Sequence, residues 1–284
     1  MSSGFGTWQA LVDLALTEDI GAGDVTTLST VPASATATGV MLLKQSGVVS
    51  GLEVAAYVFE LVDPSIRFAA LVSDGDAVTS GTDIVTLSGP ARTLLEGERT
   101  ALNLLQRLSG VATSTAAYVA AVQGTGARVV DTRKTTPGLR ALEKRAVRHG
   151  GGHNHRFGLS DGVLIKDNHL AAIGGPDRIT KAIHAARENA PHTMKIEVEV
   201  TNLAETAEAV AAGADIIMLD NMSLADMAEA VRIVGGRALT EASGGVRLET
   251  VRAIAETGVD LISVGALTHS APSLDISLNF AIAV

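Results

Sequence analysis

The 284-residue chain has no cysteine, one tryptophan, two tyrosines and no apolar run of 18 residues. Without cysteine there is no disulfide framework, no thiolate nucleophile and no thiolate metal site. An acidic chain with a net charge of −9 and 3% aromatic residues offers little to a nucleic-acid backbone or to stacked bases. The opening stretch MSSGFGTWQALVDLALTEDI carries no basic segment ahead of its apolar residues, so it reads neither as a secretory signal nor as a membrane span. The expectation is a cytoplasmic protein with no membrane and no nucleic-acid partner. What the chain does have is 46% hydrophobic residues, chiefly Ala, Val, Leu and Ile. That is the usual filling of β/α repeats, whose parallel strands are buried on both faces. The length suits one α/β barrel, or one medium domain with a smaller one.

The first part of the chain differs from the rest. Trp8 to Leu16 is amphipathic, and a polar GAGDVTT turn follows. TATGVMLLKQSGVVSG and IRFAALVSDGDAVTSGTDIVTLSG read as short strands broken by Gly, Asp and Ser. ARTLLEGERTALNLLQRLSGVATSTAAYVAAVQ has apolar residues at helical spacing and reads as two helices with a break at SGV, residues 109–111. From about residue 127 the pattern repeats as apolar strand, polar cluster and helix. The strand ends are DTRK (131–134), KDNH (166–169), Glu199, Asp220, SGG (243–245) and GA (265–266). From Glu199 onward they recur every 21 to 23 residues, the period of a parallel β/α barrel unit, whose active site lies at the C-terminal ends of the strands. A doubly wound open sheet is the rival, but no GxGxxG follows the first strand.

Charge is distributed unevenly. Residues 128–166 hold nine Lys/Arg and three acids, a local +6 that leaves −15 for the rest. Arg133, Lys134 and Lys166 adjoin buried strands, and His155 and Arg156 lie in the Gly-rich loop between them. Arginine forks grip carboxylates or phosphates at two points, and lysine adds a point charge. Converging cations of this kind call for an anion. The helical stretch LRALEKRAVRHG is different: Arg140, Lys144, Arg145 and Arg148 read as a solvated face. His153-x-His155 has chelate-like spacing, but no acid lies within five residues to support metal-binding imidazoles, so His155 reads as a hydrogen-bond donor to an anion.

Glu197 and Glu199 share one face of a strand, with Glu199 nearer its C-terminal end, and Asp220 ends the next strand. Two such carboxylates suit sugar hydroxyls or Mg²⁺, or else serve as ion-pair partners of Lys195 or a neighbouring cation. SGG and VGA, on the last two strands, sit where barrels bind phosphate with backbone N–H groups.

The segment DTRKTTPGLRALEKRAVRHGGGHNHRFGLSDGVLIKDNH closely resembles the signature of the quinolinate phosphoribosyltransferases. EDIGAGDVTT, SDGDAVTSG, GERTALNLLQRLSG, IEVEV, LDN, EASGG and SVGALTHSAPSLDISL extend the likeness over nearly the whole chain. The resemblance implies an α/β protein: an N-terminal α/β sandwich domain (1–110), then a seven-stranded, incomplete parallel α/β barrel (111–268), then a tail (269–284) packing back on the first domain. It implies a homodimer or higher oligomer, with Arg99 donated across the interface. The implied reaction joins quinolinate to 5-phosphoribosyl-1-pyrophosphate with Mg²⁺ and releases pyrophosphate and CO₂. Arg133, Lys134, His155, Arg156 and Lys166 would hold the two quinolinate carboxylates, with Thr132 also among the substrate-binding residues. Glu199 and Asp220 would address the ribose and, through pyrophosphate and water, the Mg²⁺. Ser243, Gly244, Gly245, Val264, Gly265 and Ala266 would cradle the 5-phosphate, and Lys134, Glu199 and Asp220 would carry the chemistry.

Two other functions remain at this point. One is a nicotinate-type transferase, with one carboxylate on the acceptor and no decarboxylation. The other is an anion-binding barrel without turnover. A lipoyl or biotin carrier reading of SDGDAVTSG fails, because no lysine occurs between Lys44 and Arg128.

Overall fold

A computed structural model describes residues 8–283; residues 1–7, with whatever a leader reading would draw from them, and Val284 lie outside it. Along the chain run α1 (Trp8–Ile20), α2 (Val25–Thr30), β1 (Thr36–Leu43), β2 (Gly47–Val48), α3 (Leu52–Val62), β3 (Arg67–Ala70), β4 (Ala77–Val78) and β5 (Asp83–Pro90). Next come α4 (Ala91–Ala121), β6 (Arg128–Val130), α5 (Arg140–His149), β7 (Val163–Ile165), α6 (Asp167–Ile173) and α7 (Arg178–Asn189). The remainder is β8 (Ile196–Val200), α8 (Leu203–Ala211), β9 (Ile216–Asp220), α9 (Leu224–Val234), β10 (Leu239–Ser243), α10 (Leu248–Ala255), β11 (Leu261–Ser263), α11 (Ala266–His269) and β12 (Ile276–Ala283).

The chain forms two compact units that are not contiguous in sequence. Residues up to Ala116, Thr135–Gly151 and those from Leu267 on make the first; Ala117–Lys134 and Gly152–Ala266 make the second. Thr135–Gly151, which a division at residue 110 assigns to the barrel, thus groups with the first unit.

The first unit is built on a four-stranded antiparallel sheet of order β12-β1-β5-β3. The strand nearest the end of the sequence therefore pairs with β1. A buried ion pair binds the unit's three segments: Arg107 Nη2 lies 2.7 Å from Glu143 Oε1. Arg107 also donates to the carbonyls of Ala271 and Thr268, and Glu143 accepts from the Thr136 N–H and hydroxyl. A carboxylate with no exposure survives only with such a full set of partners. Lys144 is buried as well, so the solvated-face reading of α5 does not hold at that position. α5 is wedged into its unit, with Leu142, Ala146 and Val147 on the packed side.

The expected break at 109–111 is absent, and α4 runs through it as one helix of 31 residues. Gly110 serves a close approach instead. A Cβ there would lie 2.0 Å from the Pro272 carbonyl oxygen and 3.0 Å from Ser273 Cα. Local helix formers, Ala, Leu, Gln and Arg, carry the helix across the glycine.

The second unit holds a six-stranded parallel sheet of order β6-β11-β10-β9-β8-β7. Its strands are apolar and buried through their middles, as Ile217, Met218 and Leu219 of β9 show, and helices follow each of them from β7 to β10. All six strands expected from the repeat are present. The seventh reduces to one parallel bridge between Val130 and His153. It stops there because the Asp131 carboxylate takes the next groups itself, the His155 N–H at 2.8 Å and Asn154 Nδ2 at 2.6 Å. Among the described residues no helix is long and apolar enough to cross a membrane.

Gly110→Ala should lower stability by about 1–3 kcal/mol, the usual cost of forcing an atom into a packed interior. Urea denaturation followed by circular dichroism measures it, and an unchanged midpoint would contradict the close approach.

Candidate active site

At the C-terminal ends of the parallel strands lies a cavity of about 660 Å³. It is lined by Thr132, Arg133, Lys134, His155, Arg156, Leu164, Lys166, Glu199, Met218, Asp220, Asn221, Glu241, Ser243, Gly244, Gly245 and Ser263. The sheet register sets the acids in tiers. Glu199, Met218 and Glu241 stand side by side at one level, and Asp220 and Ser243 at the next.

The cations come from three places. Arg133 and Lys134 follow β6, and the turn there is fixed by the Lys134 N–H donating to Thr132 Oγ1 at 3.0 Å. Arg156 is held by a bond from its Nη1 to the Gly162 carbonyl, 3.0 Å. Its Nε is buried without a partner. Burial first, and then the nearby Arg133 charge, push the Arg156 guanidinium below its ordinary pKa. A crowded cation with an unused donor is poised for an anion. Lys166 caps α6 and reaches Glu199 Oε2 at 3.2 Å. The reading of Glu199 as an ion-pair partner is therefore met by Lys166, and Lys195 plays no part in it.

β9 ends in Asp220, and Asn221 follows it on the cavity lining. Asn221 has φ 52°, a left-handed conformation uncommon outside glycine. Its N–H donates to the Ser243 carbonyl at 3.0 Å, and its Nδ2 donates to Asp220 Oδ2 at 2.9 Å. Its amide fills the space beside Gly244, where a Cβ would meet Asn221 Oδ1 at 2.3 Å. Gly244 also sits at φ 90°, so both space and conformation demand glycine there.

Eleven expected residues, Thr132, Arg133, Lys134, His155, Arg156, Lys166, Glu199, Asp220, Ser243, Gly244 and Gly245, thus line one cavity. Val264, Gly265 and Ala266 are not among the lining residues. The Val264 N–H is spent on the Val130 carbonyl at 3.0 Å, which removes it as a phosphate donor. Arg99 lies on α4 in the first unit and is not among the lining residues either. His155 does not point a free donor at an anion. The Arg156 N–H donates to its Nδ1 at 2.8 Å, and its Nε2 lies 3.0 Å from Glu197 Oε2 and 3.6 Å from Glu241 Oε2.

Glu241 and Asn221 were missed from the sequence, although period-two alternation back from Ser243 places Glu241 on the same strand face. Glu197, His155 and Glu241 present ligand atoms within 4.8 Å of one another, the spacing of a metal cluster. Glu199 and Asp220, both oxygen donors at the cavity wall, form the other acidic pair.

Gly244→Ala should weaken binding of a phosphate-bearing ligand at least ten-fold (about 1.4 kcal/mol), in a protein that still folds though with lower stability. Calorimetric titration with ribose 5-phosphate, beside a circular dichroism spectrum, tests it; unchanged affinity would remove the glycine from the site.

Residues 24–109 match the quinolinate phosphoribosyl transferase N-terminal domain model, and residues 111–279 match the C-terminal domain model. A probable nicotinate-nucleotide pyrophosphorylase [carboxylating] of Synechocystis sp. is 48% identical over 267 residues, covering 93% of this chain and 89% of that protein. The nicotinate-nucleotide pyrophosphorylase [carboxylating] of Mycobacterium leprae is 46% identical over 271 residues, covering 93% and 94%. The crystal structure of NadC from Streptococcus pyogenes superposes with a TM-score of 0.92 at 44% identity, covering 100% of each chain. With both domain models and these relatives matched, the chain belongs to the quinolinate phosphoribosyl transferase family.

Proposed function

We propose that this chain transfers the phosphoribosyl group of 5-phosphoribosyl-1-pyrophosphate to the ring nitrogen of quinolinate, releasing pyrophosphate and CO₂ and leaving nicotinate mononucleotide. The observation that carries the reading is the single cavity that gathers Arg133, Lys134, Arg156 and Lys166 together with Glu199, Asp220 and the 243–245 turn. Relatives named for this chemistry support it, including a quinolinate phosphoribosyltransferase [decarboxylating] 1b of Nicotiana tabacum, 42% identical over 287 residues.

In this reading the cationic side holds the two adjacent carboxylates of the pyridine and turns its nitrogen toward the ribose. The 5-phosphate rests on the backbone of Gly244 and Gly245. Glu199 and Asp220 face the ribosyl carbon as pyrophosphate departs and stabilise its developing positive charge. Lys166 holds Glu199 in place. Once ribosylated, the ring nitrogen is positive and draws electrons from C2. Loss of the 2-carboxylate then needs orientation and exclusion of water more than a dedicated catalyst. No nucleophile and no covalent enzyme intermediate enter the scheme.

The donors of Glu199 and Asp220 are hard oxygens at a wall open to solvent, a set that fits Mg²⁺ completed by phosphate oxygens and water. Bound there, Mg²⁺ would supply charge neutralisation for the departing pyrophosphate. We further propose a cytoplasmic homodimer or higher oligomer in which Arg99 of one subunit completes the site of another.

Incubation of the protein with quinolinate, 5-phosphoribosyl-1-pyrophosphate and Mg²⁺ should release pyrophosphate and CO₂ together. Release of pyrophosphate with nicotinate but not quinolinate would favour a non-decarboxylating transferase, and no release with either would leave an anion-binding barrel. Lys134→Ala and Arg156→Ala should each cut quinolinate turnover at least a hundred-fold (about 2.7 kcal/mol) with the fold retained. Near-normal rates in both would overturn the pocket assignment. Mixing Arg99→Ala with Lys134→Ala subunits should restore roughly a quarter of wild-type sites, as random pairing of a symmetric dimer dictates. No recovery after subunit exchange would place Arg99 elsewhere.

A further inference from the structure

We propose that Glu241 is a positioning residue, present as the neutral carboxylic acid, which acts through His155 to hold Arg156 against the anionic substrate. The proposal rests on the functional reading above only for its effect on turnover; the protonation itself is a property of the protein alone.

Three elements meet at His155. The Arg156 N–H donates to Nδ1, so that nitrogen presents its lone pair and the ring hydrogen sits on Nε2. The ring is therefore the neutral Nε2–H tautomer. Its single N–H faces two carboxyl groups, Glu197 Oε2 at 3.0 Å and Glu241 Oε2 at 3.6 Å. It satisfies the nearer one. Each glutamate keeps a second oxygen, Oε1, buried with no partner. Glu241 is 1% exposed. The Arg156 charge acts on Glu197, so two ionised carboxylates beside a neutral ring would leave Glu241 as the less compensated buried charge. One proton resolves this, because it removes a charge and turns an acceptor-only group into a donor.

The groups packed against Glu241 say which of the two acids holds the proton. They are Glu197 on β8, His155 in the loop beyond β6, the Ser263 hydroxyl on β11 and apolar Met218 on β9. Desolvation, and then the Glu197 charge, push the Glu241 carboxyl up to about 8; even a charge on His155, together with the Ser263 hydroxyl, would offset this only in part. The same three side chains have the spacing of a metal site. A metal would need the lone pair of Nε2, which in this tautomer carries the hydrogen. The geometry thus assigns a proton to this place rather than a cation.

The consequence reaches substrate through a short relay of contacts, from Glu241 to the imidazole, and from Nδ1 to the backbone of Arg156. Ionising Glu241 adds charge beside Glu197, loosens the ring and lets Arg156 drift, so affinity for quinolinate falls more than the rate of the bound complex. The sign for stability follows as well. The folded carboxyl binds its proton more tightly than an unfolded one of ordinary pKa 4.5. Its stabilising effect is complete below that value and is lost as pH rises toward and through about 8.

The test begins with carboxyl ¹³C NMR of the full-length protein, the Glu241 resonance being identified by its loss in Glu241→Gln. A titration midpoint between 7 and 9 is expected, and one below 6 overturns the proposal. Addition of Mn²⁺ alone decides against a metal: broadening of the His155 resonances at micromolar Mn²⁺, abolished in Glu241→Gln, would show a cation site instead. In steady-state kinetics the wild-type KM for quinolinate should climb at least five-fold from pH 7 to pH 9, with kcat changing less than two-fold. Glu241→Ala should raise KM ten-fold or more at pH 7. Glu241→Gln, which keeps the shape of the neutral acid, should recover most of that loss and flatten the alkaline rise. A glutamine variant as impaired as the alanine variant would show that the ionised form is the one required. Should neither variant fold, the wild-type ¹³C midpoint still decides. Wild-type protein inert toward quinolinate, but with a midpoint near 8, would sink the functional reading and leave the protonation standing.

Discussion

One carboxylate with no exposure to solvent, that of Asp131, fixes the cationic side of the cavity. It stands at the end of β6 and binds the His155 N–H and the Asn154 amide. Those two bonds end the incipient seventh strand after a single bridge and turn the following residues toward the open ends of the other strands. Arg156 and the imidazole of His155 are thereby brought to the same rim as Arg133 and Lys134. Buried carboxylates persist only when hydrogen-bonded, so the loop geometry and the satisfaction of Asp131 are one requirement.

The electrostatics of the site follow from that placement. An acidic protein concentrates positive charge around this cavity, where Lys166 pairs with Glu199. Arg156 keeps a buried Nε without a partner. The lining beyond β9 and β10 is ordered by backbone more than by charge: Asn221 in the left-handed region, and Gly244 where no side chain fits. In the proposed function the cations would grip carboxylates by charge and fork geometry, and the glycine backbone would receive phosphate by close approach.

The sequence was most legible where period and chemistry coincide. Six apolar runs ending in polar residues became six parallel strands, because burial on both faces leaves an unmistakable pattern. Their ends became the cavity wall. Legibility failed where a residue served two contexts. Gly110 reads as a helix break, yet it permits a backbone contact that no local rule encodes. Lys144 sits in a run of mixed charge typical of a solvated face, and only tertiary packing buries it. Val264 belongs to a glycine-bearing strand end, but its N–H is committed to the Val130 carbonyl. Glu241 was passed over because the glycines after it dominate the reading of EASGG, and its meaning depends on His155, which is remote in sequence. Composition cannot reveal such pairings; they arise when the sheet closes distances that the chain leaves open.

The antiparallel union of β12 with β1 bears on how the molecule is made. During synthesis β1 emerges early and waits, with one edge bare, until the residues of β12 have left the ribosome. Every strand of the parallel sheet is translated in that interval. An unpaired edge is a template for the wrong neighbour, so the exposure to misassembly lasts from the emergence of β1 until β12 joins it.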